Sequence, residues 1–441
     1  MLNYESKVRL KLRRTKIVAT MGPASISEEM LSKLISTGMN VARLNFSHGS
    51  HESHLQVIER IRKVSQSLNK NVAILGDLCG PKIRVGHFEN GQIPLIEGEN
   101  VVITVEPVIG KQGLIHSQYT HLIQDIKVGQ MIFLDDGNFE IEVASIDSQT
   151  RATCKVVKGG TLKNNKGMNL PGSTLSVPAL TEKDYEDLKF CLAHDVDYVA
   201  LSFVRRAEEI KDLKEKIKAI TTSNAKTEEE KERLMISTTR IIAKIENPEA
   251  LKEIQDIIDE ADGIMIARGD LGVELPVEKV PIIQAQLIKM TNQRNKPVIV
   301  ATQMLESMTS NAHPTRAEVS DVATAVMSGT DAVMLSGETA AGKYPVESVK
   351  MMDSVIREVE NYQWSQGRFG SLVKDVSIHP LPNAIARAST LVSQDLEIRA
   401  INVPTYSGRT ARIISVARPN CPIIAYCDNP KIVRQIGRAH V

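Results

Sequence analysis

Charged side chains follow two short apolar runs that stand close together in the sequence. Lys244 and Glu246 end the first run, and Arg268 and Asp270 follow the second. Mg²⁺ prefers oxygen ligands, usually one or two carboxylates completed by water and substrate oxygens. A lysine beside them supplies a point charge for a phosphoryl group. The pattern predicts metal-assisted phosphoryl transfer, which depends on positioning and on neutralising negative charge. The alternative is a plain network of ion pairs.

These charges need a scaffold that brings strand ends together. Short apolar runs rich in β-branched residues alternate with segments of helical period, which is the signature of a (β/α)8 barrel with its functional residues at the carboxyl ends of the strands. The predicted fold class is α/β: a TIM barrel with an inserted small β-barrel domain and an incomplete C-terminal α/β domain. The eight predicted strands are 16–20, 41–46, 72–75, 198–201, 241–243, 264–266, 297–300 and 332–335.

The chain divides into segments of different pattern. We expect the catalytic barrel at 1–84 and 178–365, and an inserted β-rich lid at 85–177, where alternating strands with Gly and Asp turns lack a clear helix. Residues 366–435 predict a partial α/β domain for regulation or oligomerisation. The polar segment 221–238 predicts a solvated extension of the fourth helix. Residues 436–441 match the translation of a sequencing adapter, so we expect a non-native tail and a natural protein that continues beyond Gln435.

Composition narrows the class of protein. The 54 basic and 53 acidic residues give no bulk attraction to nucleic acid or membrane. The five cysteines form no C-x-x-C pair, which favours a reducing compartment over a zinc site or disulfide framework. No run is long enough for a membrane span, and none resembles a secretory signal. We therefore expect a cytoplasmic protein that binds neither nucleic acid nor membrane.

Polar side chains also follow other predicted strands. Any one of them alone is more typical of a helix cap or turn than of a site. Because all of these strands would end at one rim, their convergence favours a site. The side chains are Arg43, Asn45, Ser47 and His48 after the second strand, Asp77 and Arg84 after the third, Thr302 and Gln303 after the seventh, and Ser336 to Thr339 after the eighth.

Taken together, seven motifs resemble those of pyruvate kinases. They occur in order and with plausible spacing, and the resemblance extends from about Arg13 to Ile436. The motifs are RLNFSHG at 43–49, GPKIR at 80–84, NLPG at 169–172, KIEN at 244–247, ARGDLG at 267–272, ATQMLESM at 301–308 and MLSGETA at 334–340.

The resemblance implies transfer of a phosphoryl group from phosphoenolpyruvate to ADP, giving pyruvate and ATP. Glu246 and Asp270 would hold Mg²⁺, for which Mn²⁺ can substitute. Lys244 would stabilise the phosphoryl group in flight and the enolate, with Arg43 on the opposite side. The backbone N–H groups of Gly269 and Asp270, with the Thr302 hydroxyl, would bind the pyruvate carboxylate.

The resemblance also assigns three further roles. Thr302, Ser336 and Glu338 would belong to the relay that protonates the enolate, although the sequence does not say which group delivers the proton. A second Mg²⁺ would arrive with the nucleotide, and the insert would close as a lid that excludes water. We expect a homotetramer of the full-length protein. The nucleotide contacts would come from Asn45, His48, Arg84 and Lys166.

One departure from the family concerns K⁺. Members that require K⁺ carry an acidic residue where Lys82 stands and a threonine where Leu78 stands. We expect the Lys82 ammonium to supply the charge that K⁺ would bring near Asn45, Ser47 and Asp77, so that K⁺ is not required. The alternative is that Lys82 points to solvent.

Three questions stay open. The segment carrying Thr405, Ser407, Arg409 and Thr410 resembles the family's effector loop and suits a phosphate, but a surface turn is nearly as good an interpretation. Arg268 is expected to orient the neighbouring carboxylates or a phosphate. Two other functions remain: a Mg²⁺-dependent barrel lyase or aldolase acting on pyruvate, and a regulatory or misassembled fragment without activity.

Overall fold

A computed structural model describes residues 13–173, 176–365, 380–396 and 398–437. The strands are β1 (Lys16–Thr20), β2 (Val41–Asn45), β3 (Ala73–Asp77), β4 (Gln92–Leu95), β5 (Asn100–Thr104), β6 (Leu114–His116), β7 (Met131–Leu134), β8 (Phe139–Ile146), β9 (Arg151–Lys158), β10 (Gly160–Lys163), β11 (Met168–Asn169), β12 (Tyr198–Leu201), β13 (Arg240–Ile245), β14 (Gly263–Ala267), β15 (Val298–Ala301), β16 (Ala332–Leu335), β17 (Ile401–Pro404) and β18 (Ile423–Tyr426). The α-helices are α1 (Glu28–Thr37), α2 (His51–Ser67), α3 (Leu122–Asp125), α4 (Glu182–Ala193), α5 (Ala207–Thr221), α6 (Glu228–Ile236), α7 (Pro248–Lys252), α8 (Ile254–Glu260), α9 (Arg268–Glu274), α10 (Val280–Gln293), α11 (Arg316–Met327), α12 (Gly337–Ala340), α13 (Pro345–Ser365), α14 (Pro380–Asp395), α15 (Arg409–Val416) and α16 (Pro430–Arg434).

The predicted barrel is confirmed. Eight parallel strands close in the order β1, β2, β3, β12, β13, β14, β15, β16. Several strands are longer than the apolar segments that predicted them, because hydrogen bonding to a neighbouring strand continues into the polar residues that follow. Asn45 pairs with Asp77, and Lys244 pairs with Met265. The side chains that end these strands are therefore held by strand hydrogen bonds instead of by loops.

Apolar packing supports the barrel on both sides of its wall. Inside, the buried side chains of Val18, Leu75, Ile242 and Met265 fill the lumen. Outside, a larger cluster joins the strands to the surrounding helices, which bury residues at helical spacing, such as Leu31, Leu34 and Ile35 on α1. This packing closes the interior and leaves the strand ends as the place for chemistry.

The insert between β3 and β12 has its own core. Its buried cluster runs from Ile83 to Leu170, separate from that of the barrel. A six-stranded sheet has the order β11, β7, β8, β9, β5, β6, and β4 pairs with β10 in a two-stranded ribbon. Among its described residues, 85–173 and 176–177, the segment contains one short helix, α3, where the sequence indicated no clear helix. A separate core allows the insert to move as a unit relative to the barrel.

The polar segment 221–238 differs from its predicted form. We expected an extension of the fourth helix, but α5 ends at Thr221 and a separate helix, α6, begins after Thr227, whose side chain accepts a hydrogen bond from the Glu230 amide. The cap starts a new helix because it satisfies a free amide of the first turn. Helix α6 has no buried residue, in keeping with the expected solvated surface.

A third unit, formed by α14, β17, α15, β18 and α16, packs against the amino-terminal ends of the barrel strands. Arg434 Nε lies 2.7 Å from Asp197 Oδ1, and Arg418 Nη1 lies 3.0 Å from Asp331 Oδ1. Ile436, the first residue of the expected tail, is buried in this unit. The predicted segments 366–379 and 438–441 lie outside the described residues. No helix within the described ranges is long and apolar enough to cross a membrane.

Candidate active site

The carboxyl ends of β3 and β13 bring one cation and two carboxylates into contact. Lys244 Nζ lies 2.8 Å from Glu246 Oε1 and 3.4 Å from Asp77 Oδ1, and it donates a hydrogen bond of 2.8 Å to Ser202 Oγ. Side-chain exposure is 12% for Lys244 and 2% for each carboxylate. The three groups meet because β12 pairs with β3 on one side and with β13 on the other.

Arg43 reaches the same carboxylate from β2. Its Nε and Nη2 lie 2.7 and 2.6 Å from Asp77 Oδ2. Its Nη1 donates to Thr20 Oγ1 at 3.0 Å, and that hydroxyl donates to the Leu335 carbonyl. Asp77 thus holds two cations, Arg43 and Lys244, at one rim. Two positive charges on a fixed carboxylate form a site suited to a substrate with more than one negative charge.

Burial and charge set the protonation of this cluster. Burial alone would lower the pKa of Lys244, but the charges of Asp77 and Glu246 outweigh it, and the pKa lies above the usual lysine value. Burial would raise the pKa of Asp77, but Lys244 and Arg43 hold it below its usual range. Burial and the charge of Asp270 raise the pKa of Glu246 against the opposing effect of Lys244. Lys244 is therefore cationic and Asp77 anionic at neutral pH.

The two expected metal ligands, Glu246 and Asp270, act on each other electrostatically. Asp270 raises the pKa of Glu246, as one carboxylate does to another that shares a site. A divalent cation between them would relieve that repulsion, so this pair fits Mg²⁺. Among the described residues no group of three or more His, Cys, Asp or Glu side chains forms a metal cage. Mg²⁺ does not require one, because water and substrate oxygens usually complete its shell.

Glu246 also has internal partners. Its Oε1 is paired with Lys244, and its Oε2 accepts a 2.6 Å hydrogen bond from the Phe203 amide. Phe203 has φ of 55°, a left-handed conformation that aims its N–H at this carboxylate. Both oxygens of Glu246 are thus held by donors of the protein, which fixes the orientation of this carboxylate at the rim.

The ends of β14 and β15 meet at Thr302. The Gly269 amide donates a 2.8 Å hydrogen bond to Thr302 Oγ1, which itself donates to the Ala301 carbonyl at 2.6 Å. A Cβ built on Gly269 would lie 3.4 Å from Thr302 Oγ1 and 3.6 Å from Thr302 Cβ, which is van der Waals contact, so a side chain here would cover this hydroxyl. The hydroxyl and the amide are the pair expected to bind a carboxylate.

Glu338 and Ser336 differ in their surroundings. Glu338 is fully buried, and its oxygens accept hydrogen bonds from the Ser336 amide at 2.6 Å and the Leu305 amide at 3.0 Å. Burial raises its pKa. Ser336 Oγ is buried and has no hydrogen-bond partner within the described part of the chain. Glu338 thus holds the turn that carries a serine hydroxyl with free hydrogen-bonding capacity.

The residues expected to bind the nucleotide lie on two bodies. On the barrel, Asn45 Oδ1 accepts from the Ser47 amide at 3.1 Å, and His48 is exposed. Arg84, the last residue of the predicted barrel segment, instead lies with the insert: it pairs with Gly167 and donates to the Asn165 carbonyl at 2.8 Å. Lys166 Nζ lies 2.8 Å from Asp135 Oδ1. Arg84 and Lys166 therefore form their contacts within the insert, with the Asn165 carbonyl and with Asp135, and not with the barrel residues Asn45 and His48.

Lys82 lies apart from the Asp77 cluster. It is exposed, lines the cavity between the insert and the barrel, and forms no ion pair with Asp77 in the described structure. Leu78 is buried, and its carbonyl accepts a 2.7 Å hydrogen bond from Ser202 Oγ. The expected place of Lys82 near Asn45, Ser47 and Asp77 would require it to move.

The predicted effector loop lies at the carboxyl end of β17. Gly408, with φ of 73°, immediately precedes α15, and the first two residues of that helix, Arg409 and Thr410, are exposed. The Ser407 carbonyl accepts a 3.4 Å hydrogen bond from Arg412. Thr405 lines an open cleft with Tyr406 and Tyr426. These contacts are those of a surface turn and leave the hydroxyls accessible.

Sequence reasoning missed three contributors to the site. Ser202 and Phe203 directly follow β12, so their position at a strand end was the available signal. Glu274 at the end of α9 lines the cavity between insert and barrel, and its Oε1 accepts a 3.4 Å hydrogen bond from Asn169 of the insert. Burial raises the pKa of Glu274 to about 7.

Arg268 has a different role from the one expected. Its Nη1 lies 2.5 Å from Asp321 Oδ2, and its Nη2 donates to the Thr302 carbonyl at 2.7 Å. The charge is satisfied by these partners, so the guanidinium does not orient Glu246 or Asp270.

Comparison with known proteins gives consistent results. The family model described as "Pyruvate kinase, barrel domain" matches residues 12–349, and "Pyruvate kinase, alpha/beta domain" matches 383–439. A curated pyruvate kinase from Geobacillus stearothermophilus is 45% identical over 426 residues, covering 96% of this chain and 70% of the relative. One from Staphylococcus aureus strain MRSA252 is 46% identical over 425 residues, with the same coverage. A crystal structure of a pyruvate kinase from Cryptosporidium parvum matches with a TM-score of 0.87 and 37% identity, covering 97% of this chain and 86% of that one.

Proposed function

The chain belongs to the pyruvate kinase family, and from that premise we propose how the residues of its barrel rim share the work of the reaction. That reaction, the last step of glycolysis, transfers the phosphoryl group of phosphoenolpyruvate to ADP and gives pyruvate and ATP. The observation that carries the proposal is the cluster in which Asp77 holds both Lys244 and Arg43 at the rim.

Lys244 and Arg43 bind the phosphoryl group in this scheme. Lys244 stays cationic because Asp77 and Glu246 hold its pKa high, and it neutralises charge on the transferring oxygens and on the enolate. Arg43 faces the phosphoryl group from β2, with its guanidinium fixed by Asp77 and Thr20. Rigid placement matters, because charges that need not reorganise stabilise a transition state most.

Mg²⁺ would be held by Glu246 and Asp270, where it would neutralise and align phosphoryl oxygens. Mn²⁺ shares the preference for octahedral oxygen ligands and would substitute. The Gly269 and Asp270 amides and the Thr302 hydroxyl bind the substrate carboxylate, which replaces the resting bond between Gly269 and Thr302.

Protonation at carbon completes the reaction. When the bond between phosphorus and the enol oxygen breaks, the enolate must take one proton at its methylene carbon to become pyruvate. We assign the relay to Thr302 and Ser336, whose hydroxyls lie on neighbouring strand ends. Glu338 supports it by holding the Ser336 amide.

The insert provides the second half of the nucleotide site in this proposal. Asn45 and His48 bind ADP from the barrel, and Arg84 and Lys166 bind it from the insert after exchanging their present partners for phosphate oxygens. Closure of the insert would join the two halves and exclude water from the reacting group.

The family generally uses both Mg²⁺ and K⁺. We propose that this chain does not need K⁺, because Lys82 offers an ammonium at the mouth of the cavity and moves toward Asn45, Ser47 and Asp77 on closure. Leu78 supports this proposal, since its side chain has no oxygen for a cation.

We also propose a cytoplasmic homotetramer. All five cysteines are unpaired, as in a reducing compartment. Val277 and Ile282, near the start of α10, are 71% and 63% exposed and would be covered in an assembly. Light scattering after gel filtration tests the assembly. The third unit, with Thr405, Ser407, Arg409 and Thr410, would serve as the effector-binding part.

Phosphorus NMR, which follows phosphoenolpyruvate and ATP, and proton NMR, which follows pyruvate, test the activity directly. The protein is mixed with phosphoenolpyruvate and Mg²⁺, either with or without ADP, and the Lys244→Met variant is the control. We expect ATP to appear in equal amount to pyruvate, only with ADP present and only with the unchanged protein. Pyruvate and inorganic phosphate formed without ADP would show hydrolysis instead of transfer. A carbon–carbon bond formed between added pyruvate and an aldehyde would support the lyase or aldolase, and no product in either mixture would support a regulatory fragment.

A further inference from the structure

Two consecutive residues at the end of β15 adopt a left-handed backbone conformation. Thr302 has φ of 66° and Gln303 has φ of 52°. This region is unfavourable for residues with a side chain, and most of all for a β-branched one such as threonine. Such a turn persists only where surrounding contacts hold it, and Thr302 is the residue we place at the substrate carboxylate and in the relay.

Arg268 supplies those contacts. Its Nη2 donates to the carbonyls of Thr302 at 2.7 Å and Gln303 at 3.1 Å, and its Nε donates to the Ala301 carbonyl at 3.4 Å. One guanidinium therefore binds three consecutive carbonyls, which fixes the path of the backbone through the turn.

A second face of the guanidinium anchors it to the scaffold. Nη1 lies 2.5 Å from Asp321 Oδ2 on α11 and 3.5 Å from Gln284 Oε1 on α10. The Arg268 side chain is 10% exposed. Arginine suits this position because its planar fork presents five donors in fixed directions, whereas lysine has a single ammonium.

We propose that Arg268 is a positioning residue that holds Thr302 for proton transfer to and from the methyl carbon of pyruvate. This inference rests on the role proposed for Thr302. Arg268 shows no hydrogen bond or ion pair to Lys244, Arg43 or Glu246 in the described structure, so its effect passes through the turn. Phosphoryl binding should therefore suffer less than protonation when Arg268 is changed.

Exchange of the pyruvate methyl protons with D2O isolates this step, because by microscopic reversibility the relay that protonates the enolate also removes a proton from pyruvate. Proton NMR measures the exchange with Mg²⁺ and phosphate present. We expect Arg268→Lys to slow exchange about 10²-fold, as displacement of a catalytic group by roughly 1 Å does. The melting temperature should change little. The KM for phosphoenolpyruvate should rise by a much smaller factor than the exchange rate falls, because Lys244, Arg43 and the Gly269 and Asp270 amides keep their contacts with the substrate.

A double-mutant cycle distinguishes positioning from general damage. Thr302→Val removes the hydroxyl, and the double variant with Arg268→Lys should be no slower than Thr302→Val alone. Losses that multiply would overturn the inference. The inference would also be overturned, with the proposed function left intact, if Arg268→Lys exchanged protons at the rate of the unchanged protein while Thr302→Val was slow. Unchanged exchange in Thr302→Val would overturn the role of Thr302 and this inference with it.

Two further variants keep the test sharp if Arg268→Lys folds poorly. Gln303→Gly relieves the left-handed strain, since glycine adopts positive φ readily. Added to Arg268→Lys, it should restore exchange at least about threefold; no recovery would count against the turn-holding role. Asp321→Asn weakens the anchor of the guanidinium but keeps its carbonyl contacts, so it should slow exchange by a clearly smaller factor than Arg268→Lys, and a loss as large as that of Arg268→Lys would contradict the proposal.

Discussion

Lys244 Nζ lies 2.8 Å from Glu246 Oε1, so the proposed phosphoryl-binding cation and the proposed metal ligand neutralise each other before substrate arrives. Lys244 lies in β13 and Glu246 directly follows that strand, so the two residues are two positions apart and project to the same side. Their contact explains how an active site can keep charged groups buried in its resting state. Replacing either residue would therefore leave the charge of the other buried and without this partner.

Replacing Lys244 by methionine should cost both stability and turnover. Asp77 and Glu246 would remain buried with one cation fewer, which typically costs about 3–5 kcal/mol in the free energy of unfolding. Turnover should fall by at least about 10²-fold, because a preorganised cation is lost. Urea unfolding and a pyruvate assay measure the two effects. The double variant with Glu246→Gln should regain part of the stability and none of the activity; a Lys244→Met protein that turns over normally would contradict the scheme.

Glu246→Gln and Asp270→Asn should each weaken metal binding by at least about tenfold, because each removes one of only two charged ligands. Titration with Mn²⁺, followed by electron paramagnetic resonance of the free ion, reports binding without any need for turnover. Glu253→Gln is the matched control, since Glu253 lines the same cavity as Asp270. Equal affinities in all three variants would place the metal elsewhere.

Monovalent cations test the proposed role of Lys82. The unchanged protein should keep its turnover when K⁺ is replaced by Na⁺ or tetramethylammonium, because the ammonium of Lys82 takes the place of the ion. Lys82→Glu should become dependent on K⁺, since it replaces that cation with an anion. Steady-state assays at constant ionic strength provide the comparison. A large loss of turnover of the unchanged protein without K⁺ would mean that Lys82 stays in solvent.

Glu274 should make stability depend on pH near neutrality. Its pKa of about 7 in the folded protein exceeds the ordinary value of 4.5, so the folded state holds the proton more tightly than the unfolded state. Protonated Glu274 therefore adds up to about 3 kcal/mol to the free energy of unfolding. This contribution is fully present below about pH 4.5 and is lost as the pH rises through about 7.

Glu274→Gln removes this dependence, so the variant should gain stability relative to the unchanged protein between pH 5 and pH 8. Chemical unfolding at the two values gives the difference, with the exposed Glu278→Gln as control. An equal difference at both values would show that the carboxyl titrates normally. Mg²⁺ should reduce the effect, because Asp270 and Glu246 contribute to the raised pKa.

The sequence by itself determined which residues share the rim. Lys244, Glu246 and Asp270 each follow an apolar run, and in a parallel barrel the direction of the chain places all such ends on one face. Strand periodicity is local, so the barrel and the rim could be predicted from short segments. The family resemblance inferred from the motifs is confirmed by the family model and the curated relative. The sequence could reveal it because the motifs are contiguous stretches of chain.

Tertiary structure decided which of these residues touch. Asp77 meets Lys244 because β3 pairs with β12 across the whole insert, a contact that no local pattern encodes. Arg268 and Lys82 illustrate the same limit: both carry a charge at the rim, yet one is bound to Asp321 and backbone carbonyls while the other faces the cavity. The physical reason is that the direction of a long side chain depends on partners that only the closed barrel brings within hydrogen-bond distance.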